Sequence, residues 1–457
     1  MQEGLHKLFP TDDTIVAIST PLGRSGIGVV RISGSLSKPI ADRFLKLSFP
    51  LTSKRASLGI WRDESDAPID EVIATLFHSP NSYTGEDTLE LSAHGNPLIL
   101  QRIVQTICSA GARIAAPGEF TMRAVLNGKM DLIQAEAIRC FVEAQTLAQA
   151  RTAMLQMNGA LSRRLAPEKN QLIDVIARME AGIDFADDDV SVPDSKAMAV
   201  ELDHIRESLT EILSTYSFGK VLFQGIRLAI VGKPNVGKSS LFNRFVGAER
   251  AIVTEIPGTT RDVLSETVSL GGIPLRFSDT AGVRKSTDRV ESIGIRKTLE
   301  ELSEADLVLV VLDASSPLET EDKDILTQIA AANYITVLNK CDLGVICEPG
   351  TAPAATVKVS AVTGKGIDEL RNAIRARVIS SSQDSSSGIL TTERQAENVT
   401  NAIEAMKNAV AALNQGVPHE MVLLDVYEAL GQLNVLTGDV LTEDILGRIF
   451  STFCVGK

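Results

Sequence analysis

The stretch that decides the fold is the apolar run Ile226-Arg-Leu-Ala-Ile-Val231, followed directly by Gly232-Lys-Pro-Asn-Val-Gly-Lys-Ser239. The run is typical of a buried strand, and a helical pattern begins near Ser239. Glycines between a strand and a helix let backbone N–H groups wrap phosphates. Lys238 can neutralise the phosphate oxygens, the Ser239 hydroxyl can ligate Mg²⁺, and the helix N-terminus adds partial positive charge. The stretch therefore predicts a phosphate-binding loop.

Further apolar runs follow this loop and alternate with helical patterns. They are Leu275–Ser278, Leu307–Leu312, Ile335–Leu338 and Thr356–Val359. Because they are continuous rather than alternating, they predict strands buried on both faces of a mostly parallel sheet. We therefore predict a Ras-like P-loop domain over residues 219–380.

The remainder of the chain shows two other sequence patterns. Residues 1–125 carry short β-like runs broken by glycine and proline, with a helical pattern over 98–108, which indicates an α+β domain. Residues 126–218 and 381–457 are helical, so we predict one discontinuous helical domain into which the P-loop domain is inserted. The clearest apolar stripe has three- and four-residue spacing and consists of Leu161, Leu165, Leu172, Val175, Ile176 and Met179.

Composition restricts the class of protein. The chain has 457 residues, of which 44% are hydrophobic and 23% charged, which suits a globular protein of about three domains. A net charge of -13 argues against a broad basic surface, so any nucleic-acid contact should be local or shared with a partner. The five cysteines form no C-x-x-C pair, which argues against a structural zinc site. The sequence shows no secretory signal and no long apolar run, so we expect a cytoplasmic protein.

Three later motifs complete a nucleotide site. In Asn339-Lys-Cys-Asp342, an aspartate can accept two hydrogen bonds from the N1–H and N2 groups of guanine, a donor pair that adenine lacks, so it selects GTP. Ser360-Ala361 is expected beside the guanine O6. Asp279-Thr-Ala-Gly282 is placed to hold the magnesium shell through water and to sense the γ-phosphate. We therefore predict that the chain binds and hydrolyses GTP.

A further segment, Thr254-Glu-Ile-Pro-Gly-Thr-Thr-Arg-Asp262, is the predicted switch. Thr260 is the candidate second magnesium ligand. Thr259 and the backbone near Thr254 and Ile256 can supply oxygens to a monovalent cation. The predicted GTP-binding residues are Asn235, Val236, Gly237, Lys238, Ser239, Ser240, Thr254, Glu255, Ile256, Pro257, Gly258, Thr259, Thr260, Asp279, Thr280, Ala281, Gly282, Asn339, Lys340, Asp342, Ser360 and Ala361.

The site departs from a Ras-like enzyme at Val283, where a water-orienting glutamine would be expected. Something else must stabilise the charge that develops between the β- and γ-phosphates. The side-chain oxygen of Asn235 could ligate a potassium ion there, giving this stabilisation with a metal. The alternative is that Asn235 is a turn residue that tolerates unusual backbone angles.

Motifs along the whole chain narrow the class of GTPase further. The G-motifs are shared by many GTPases, whereas the N-terminal motifs and the end of the chain are far more selective. The chain contains Pro21-Leu-Gly-Arg-Ser-Gly-Ile-Gly28, Tyr83-Thr-Gly-Glu-Asp87, Ala93-His-Gly95, Pro117-Gly-Glu-Phe120, Ala251-Ile-Val-Thr254, Gly258-Thr-Thr-Arg-Asp262, Asp279-Thr-Ala-Gly-Val-Arg284 and Cys454-Val-Gly-Lys457. Through these motifs it resembles the MnmE (TrmE) family of tRNA-modification GTPases.

For the GTPase site, the resemblance implies potassium-dependent dimerisation of the GTPase domains. It assigns potassium contacts to Asn235, Thr254, Ile256 and Thr259, and magnesium contacts to Ser239 and Thr260. It also implies that Glu291, together with Lys238, is catalytic, with Glu291 organising the attacking water through a second water. From the residues alone, Glu291 is equally a solvated residue at a helix start.

For the N-terminal domain, the resemblance implies homodimerisation and binding of 5-formyltetrahydrofolate or a related folate. The implied folate contacts are Arg31, Glu90, Lys129 and Lys457; taken singly, each is also a plausible surface charge. Cys454 is implied to be a reactive thiol near the folate, against the alternative of a semi-buried structural thiol. The tail can reach the N-terminal domain only if the helical domain folds it back.

The resemblance further implies a complex with the FAD-dependent partner MnmG (GidA). Together the two would modify wobble uridine 34 of certain tRNAs at C5, giving a carboxymethylaminomethyl or aminomethyl group. The alternative is a regulatory GTPase switch in ribosome assembly, as in the Era and EngA relatives that share the G-motifs. The sequence shows no GxxG loop in a basic βαα context, which such relatives would carry.

Overall fold

The structure is a computed structural model that describes residues 13–184, 194–248, 267–277, 305–330, 332–347, 355–378 and 388–456. The chain divides into two compact units. The first unit comprises Met1–Arg139, Gln156–Ala199 and Glu404–Lys457, and the second comprises Cys140–Leu155 and Val200–Ile403. An architecture of an N-terminal α+β domain, a discontinuous helical domain and an inserted P-loop domain is confirmed. The residue boundaries predicted between these domains stay predictions.

The N-terminal part of the first unit is a seven-stranded sheet with the order β3-β4-β5-β6-β2-β1-β7. Its neighbours are antiparallel except for β1 and β7, which are parallel. The strands are β1 (Ile15–Ile18), β2 (Ser25–Ser33), β3 (Leu45–Leu47), β4 (Ser57–Arg62), β5 (Pro68–Phe77), β6 (Thr88–Gly95) and β7 (Arg113–Ile114).

Two helices, α1 (Ser37–Phe44) and α2 (Pro97–Ser109), share a hydrophobic core with this sheet. Alternation along β5 shows which face is covered. Val72, Ala74 and Leu76 are buried, whereas Ile73 between them is 47% exposed. The sheet therefore packs its helices on one face and leaves apolar side chains on the other.

Twelve further helices complete the described chain. They are α3 (Glu119–Leu126), α4 (Leu132–Val142), α5 (Leu147–Met157), α6 (Ala160–Asp184), α7 (Ser195–Ser214), α8 (Tyr216–Gln224), α9 (Lys238–Ala248), α10 (Thr320–Gln328), α11 (Ile367–Val378), α12 (Glu393–Asn414), α13 (His419–Thr437) and α14 (Glu443–Phe450). In the first unit, α6 packs against α13. The six residues of the predicted apolar stripe on α6 are all buried, which confirms it.

The end of the chain returns to the N-terminal sheet, as the fold-back prediction requires. Val455 forms an isolated β-bridge with Pro117, and the carbonyl of Cys454 accepts a hydrogen bond from the Gly118 N–H at 3.4 Å. Gly456 has φ +94°, and a Cβ there would lie 2.6 Å from the carbonyl oxygen of Ile18. Only glycine therefore fits where the tail meets β1.

The second unit is built on a six-stranded sheet with the order β13-β12-β11-β8-β10-β9. Its strands are β8 (Ile226–Val231), β9 (Thr267–Leu270), β10 (Ile273–Phe277), β11 (Leu307–Asp313), β12 (Tyr334–Asn339) and β13 (Thr356–Lys358). All pairs are parallel except β9 with β10. Hydrophobic clusters lie on both faces, as the continuous runs predicted, whereas the short antiparallel strand β9 was not predicted.

Within the described residues, no helix combines the length and the apolar character needed to cross a bilayer.

Candidate functional sites

The phosphate loop connects β8 to α9, as predicted. Gly232 has φ +152° and Gly237 has φ +96°, backbone angles that favour glycine. A Cβ at Gly232 would lie 2.3 Å from the Val311 carbonyl oxygen, and one at Gly237 would lie 2.3 Å from Nδ2 of Asn339. The loop therefore passes close to the ends of β11 and β12, where no side chain would fit.

Lys238 opens α9 and points back into the loop. Its Nζ donates hydrogen bonds to the carbonyls of Gly232 at 2.6 Å and Lys233 at 2.8 Å. Burial lowers the pKa of the Lys238 ammonium. A bound phosphate would supply an anionic acceptor, so the charged form of this lysine would gain most from the nucleotide.

Lys233 anchors the phosphate loop to a neighbouring helix, a contact that was not predicted from the sequence. Its Nζ lies 3.0 Å from Glu319 and 3.0 Å from Asp322, and the Asp322 side chain is only 4% exposed. These two acids form the capping box of α10. One ammonium therefore links the phosphate loop to the start of that helix.

Asn339 ends β12 and joins the base-recognition motif to the phosphate loop. Its Nδ2 donates to the Val236 carbonyl at 2.8 Å, and its Oδ1 accepts from the Ala361 N–H at 3.0 Å. Asn339 is 2% exposed and both bonds are buried. The Ser360 hydroxyl, also buried, accepts from the Thr363 N–H at 3.1 Å. One amide therefore brings together three loops that the sequence assigned to a single nucleotide.

Lys340 adopts left-handed backbone angles (φ +63°) and its Nζ lies 2.6 Å from Asp313 at the end of β11. Burial acts to raise the pKa of Asp313, but hydrogen bonds from Lys340 and Ser315 outweigh it and keep the pKa below its ordinary value. Asp342 lies exposed in a short 3-10 helix directly after this lysine. An exposed carboxylate there is available to accept hydrogen bonds from a base.

Asn235 is exposed and has φ +64°. Its backbone therefore adopts the left-handed conformation of a turn residue, which was the alternative role for this asparagine. Its side-chain amide has no hydrogen bond within the described part of the chain, which leaves its oxygen available to a cation. The remaining nucleotide-site predictions lie outside the described residues: Thr254, Glu255, Ile256, Pro257, Gly258, Thr259, Thr260, Asp279, Thr280, Ala281, Gly282, Val283 and Glu291.

The predicted folate residues Arg31 and Glu90 are brought into direct contact. They face each other across β2 and β6, with 2.7 Å between Nη2 and Oε1. The Arg31 guanidinium lies 5.3 Å from the ring centroid of Tyr83 and 5.7 Å from that of Phe120. This half-buried pair, with its guanidinium close to two aromatic rings, presents charged groups that can bind a planar polar ligand.

Lys129 and Cys454 lie elsewhere in the first unit. Lys129 is exposed and donates to the Pro80 carbonyl at 2.9 Å, in the loop that also carries Tyr83. Cys454 is an exposed free thiol held through its backbone at Gly118. No contact of either residue with Arg31 or Glu90 occurs among the described residues, and Lys457 lies outside them.

A buried ion network around Arg123 was not predicted from the sequence. Arg123 is fully buried and lies 2.6 Å from Asp13, 3.0 Å from Glu119 and 3.2 Å from Glu86. Burial acts to raise the pKa of Glu119, but hydrogen bonds, first of all from Arg113, keep it below its ordinary value. The network fixes α3 to the loop between β5 and β6. A buried arginine inside a helical pattern gave no signal in the sequence beyond its nearby acids.

The phosphate loop, the base-recognition motif after β12 and the parallel sheet define a P-loop GTPase of Ras-like fold. Two family models match the chain: GTP-binding protein TrmE N-terminus over residues 14–129, and MnmE helical domain over residues 132–454. The chain belongs to the MnmE (TrmE) family.

Curated relatives named tRNA modification GTPase MnmE span nearly the whole chain. The protein from Koribacter versatilis is 50% identical over 451 residues, covering 98% of this chain and 99% of that protein. The one from Aquifex aeolicus is 40% identical over 447 residues, covering 97% and 100%. Among solved structures, the G domain of the T. maritima FeoB iron transporter aligns with 33% of this chain and 98% of its own, at 25% identity and a TM-score of 0.26.

Proposed function

We propose that this protein is a potassium-dependent GTPase. It hydrolyses GTP to GDP and phosphate and acts in the cytoplasm with a flavin-dependent partner, the MnmG (GidA) type, to modify C5 of wobble uridine 34 in certain tRNAs. The observation that carries GTP binding is the junction at Asn339, which joins the phosphate loop to the base-recognition motif. Support for tRNA modification comes from curated relatives of that name over nearly the full chain.

In this proposal each described residue has one task. The backbone N–H groups of the phosphate loop and the Lys238 ammonium bind the phosphates, and the Ser239 hydroxyl, in the first turn of α9, holds Mg²⁺. Asp342 accepts the two guanine donors, and Asn339 keeps the two halves of the site in register. Bound Mg²⁺ supplies charge stabilisation at the phosphate oxygens.

Base selection can be tested at Asp342. Asp342→Asn replaces one acceptor oxygen by a donor, so it should weaken GTP binding and shift preference toward xanthosine triphosphate, whose base presents the complementary pattern. Hydrolysis rates with both nucleotides measure the shift. A variant that retains the GTP preference of the parent would rule out the assigned base contact.

The potassium proposal rests on the exposed Asn235 amide at the mouth of the phosphate loop and on Val283, which cannot orient water. A potassium ion held there would stabilise negative charge on the phosphates. GTP turnover should therefore be severalfold faster in potassium than in sodium at matched ionic strength. Asn235→Ala should remove that difference while leaving GDP affinity little changed. Equal rates in the two salts for the parent protein would contradict the proposal.

Homodimerisation through the N-terminal domain is supported by the uncovered face of its sheet. Leu58 and Ile73 are cross-strand neighbours on β4 and β5, and they are 61% and 47% exposed. Ile60, two residues along β4, is 38% exposed. A contiguous apolar face of this kind is typical of an interface. Leu58→Asp combined with Ile73→Asp should give a monomer in analytical ultracentrifugation, whereas Phe49→Asp, at an exposed position outside these strands, should leave the dimer intact.

Folate binding is supported by the Arg31–Glu90 pair, whose guanidinium lies close to Tyr83 and Phe120. We propose that Glu90 binds the guanine-like face of the pterin, that Arg31 and Lys129 hold anionic groups of the ligand, and that Lys457 and the Cys454 thiol lie beside it. Glu90→Gln should weaken binding of 5-formyltetrahydrofolate at least tenfold by calorimetry, because a charged acceptor is lost. Unchanged affinity would place the folate elsewhere.

The modification itself is tested by mass analysis of wobble uridines in tRNA from cells that lack this protein. Loss of the C5 aminomethyl-type groups, restored by the parent gene but not by Asp342→Asn, is the expected result. Normal wobble uridines together with defective ribosome assembly would instead favour the regulatory alternative.

A further inference from the structure

Thr146 lies directly before α5, and Gln149 lies in the first turn of that helix. Together they form a small buried joint in the second unit that the proposed chemistry does not use. Thr146 is 9% exposed and Gln149 is 3% exposed. The Gln149 N–H donates to the Thr146 hydroxyl at 3.2 Å, while the Gln149 Oε1 accepts from the Thr146 N–H at 3.0 Å. This reciprocal pair is a capping box that stabilises the start of α5.

The same hydroxyl also reaches the hairpin between β9 and β10. Thr146 Oγ1 donates to the Gly272 carbonyl at 2.6 Å. Gly272 has φ +93°, and a Cβ there would lie 2.6 Å from Cβ of Ala148. The turn is therefore seated directly on the first turn of α5, with no space for a larger residue.

Gln149 extends the joint to the entry of the phosphate loop. Its Nε2 donates to the carbonyls of Leu222 at 2.9 Å and Phe223 at 3.3 Å, at the end of α8. That helix leads through Gly225 into β8, and a Cβ on Gly225 would lie 2.7 Å from the Pro274 carbonyl of the same hairpin. One capping box thus contacts both the hairpin turn and the segment that feeds the phosphate loop.

The position of the hairpin in the chain connects this joint to the predicted nucleotide site. Its two strands lie between the predicted switch motif ending at Asp262 and the predicted motif beginning at Asp279. Four residue pairs join the two strands, so a shift at either end is transmitted to the turn. The turn is bonded to the cap of α5, and within α5 the chain passes from the second unit to the first.

We propose that Thr146 is a positioning residue through which the nucleotide state of the GTPase site reaches α5. It does so by sharing one hydroxyl between the helix cap and the hairpin turn. The proposal rests on the proposed GTP binding and is independent of the reaction on tRNA. Movement of the turn changes the geometry at the hydroxyl, and the first turn of α5 tightens or loosens with it.

Hydrogen exchange of the full-length protein tests this directly. Amide exchange over residues 147–155 is compared with GDP and with a non-hydrolysable GTP analogue, both with Mg²⁺ and K⁺. The parent protein should show a state-dependent rate in this segment. Thr146→Val, which keeps the shape but loses the hydroxyl, should abolish the difference, and Thr146→Ser should retain it. GTP-analogue affinity should stay within about twofold, because the residue lies outside the nucleotide site.

Thr392→Val is the matched control. Thr392 directly precedes α12, and its hydroxyl accepts from the Gln395 N–H at 3.3 Å. This is a comparable cap that, within the described part of the chain, makes no hydrogen bond to the hairpin. Both valine variants should speed exchange in the first turn of their own helix about fivefold, the size expected for a lost cap. Only Thr146→Val should remove the nucleotide dependence of α5.

Two results would overturn the proposal: a parent protein whose α5 exchanges equally in both nucleotide states, or a Thr146→Val variant that keeps the difference. If the parent fails to bind GTP analogues at all, the proposed function fails instead, and calorimetry separates that result from the other two. If Thr146→Val does not fold, the comparison of nucleotide states in the parent still decides the first outcome.

Discussion

Replacement of Asn339 by alanine should show how far the nucleotide site depends on one buried amide. The change leaves the Val236 carbonyl and the Ala361 N–H without their buried partner. An unsatisfied buried polar group costs about 1–3 kcal/mol, so the two together cost about 2–6 kcal/mol. Part of this cost destabilises the fold, and part appears as lost affinity because both groups belong to loops that would contact the nucleotide.

We expect the affinity for a GTP analogue to fall at least 30-fold, which corresponds to about 2 kcal/mol. Isothermal titration calorimetry on the full chain measures the affinity, and hydrogen exchange of β12 confirms that the sheet remains folded. Thr336→Val is the matched control on the same strand. The Thr336 hydroxyl is also fully buried but has no hydrogen-bond partner within the described structure, so its removal should leave affinity unchanged. Affinity within threefold of the parent for Asn339→Ala, or an equal loss for Thr336→Val, would refute the reasoning.

Three further outcomes follow from features of the two units. Gly456→Ala should detach the tail, because its Cβ would meet the Ile18 carbonyl, and thiol labelling near the end of the chain should accelerate without loss of the sheet. Against the raising effect of burial, the hydrogen bond from Arg113 keeps the pKa of Glu119 below its ordinary value of 4.5. Stability from this group is present above that pH and lost as the pH falls below it, so α3 exchange should accelerate on acidification, and less steeply in Arg113→Gln. Lys233→Ala should weaken GTP binding about tenfold in titrations by freeing the phosphate loop from α10, and a value equal to the parent would show that the ion pairs are incidental.

Periodicity predicted the parts of the fold that bury whole surfaces. The runs at β8, β11 and β12 are apolar on both faces, so their position in a parallel sheet could be recognised from composition alone. The strand β9 was not predicted, because a four-residue edge strand with alternating burial has too little apolar surface to be recognised in the sequence. Likewise β4 and β5 carry exposed isoleucines, which obscure the alternation that marks a half-buried strand.

At the site, sequence predicted the residues whose chemistry is local to a motif and missed those that act through distant neighbours. The phosphate loop and Asn339 follow from short motifs with a fixed physical purpose. The partner of Lys340 is Asp313, on another strand, and the partners of Lys233 lie at the start of α10. Such pairs are set by how strands and helices are arranged in space, which no spacing along the chain encodes.

The first unit is assembled from three separated stretches of chain, and this has a consequence for its synthesis. Its N-terminal sheet and α6 emerge from the ribosome before Val200–Ile403, which belong to the second unit, whereas α13, the partner of α6, comes after them. The apolar stripe of α6 therefore lacks this partner helix while the GTPase sheet is translated. During that interval the nascent chain should depend on chaperones, and slow translation over residues 200–403 should lengthen its exposure to aggregation.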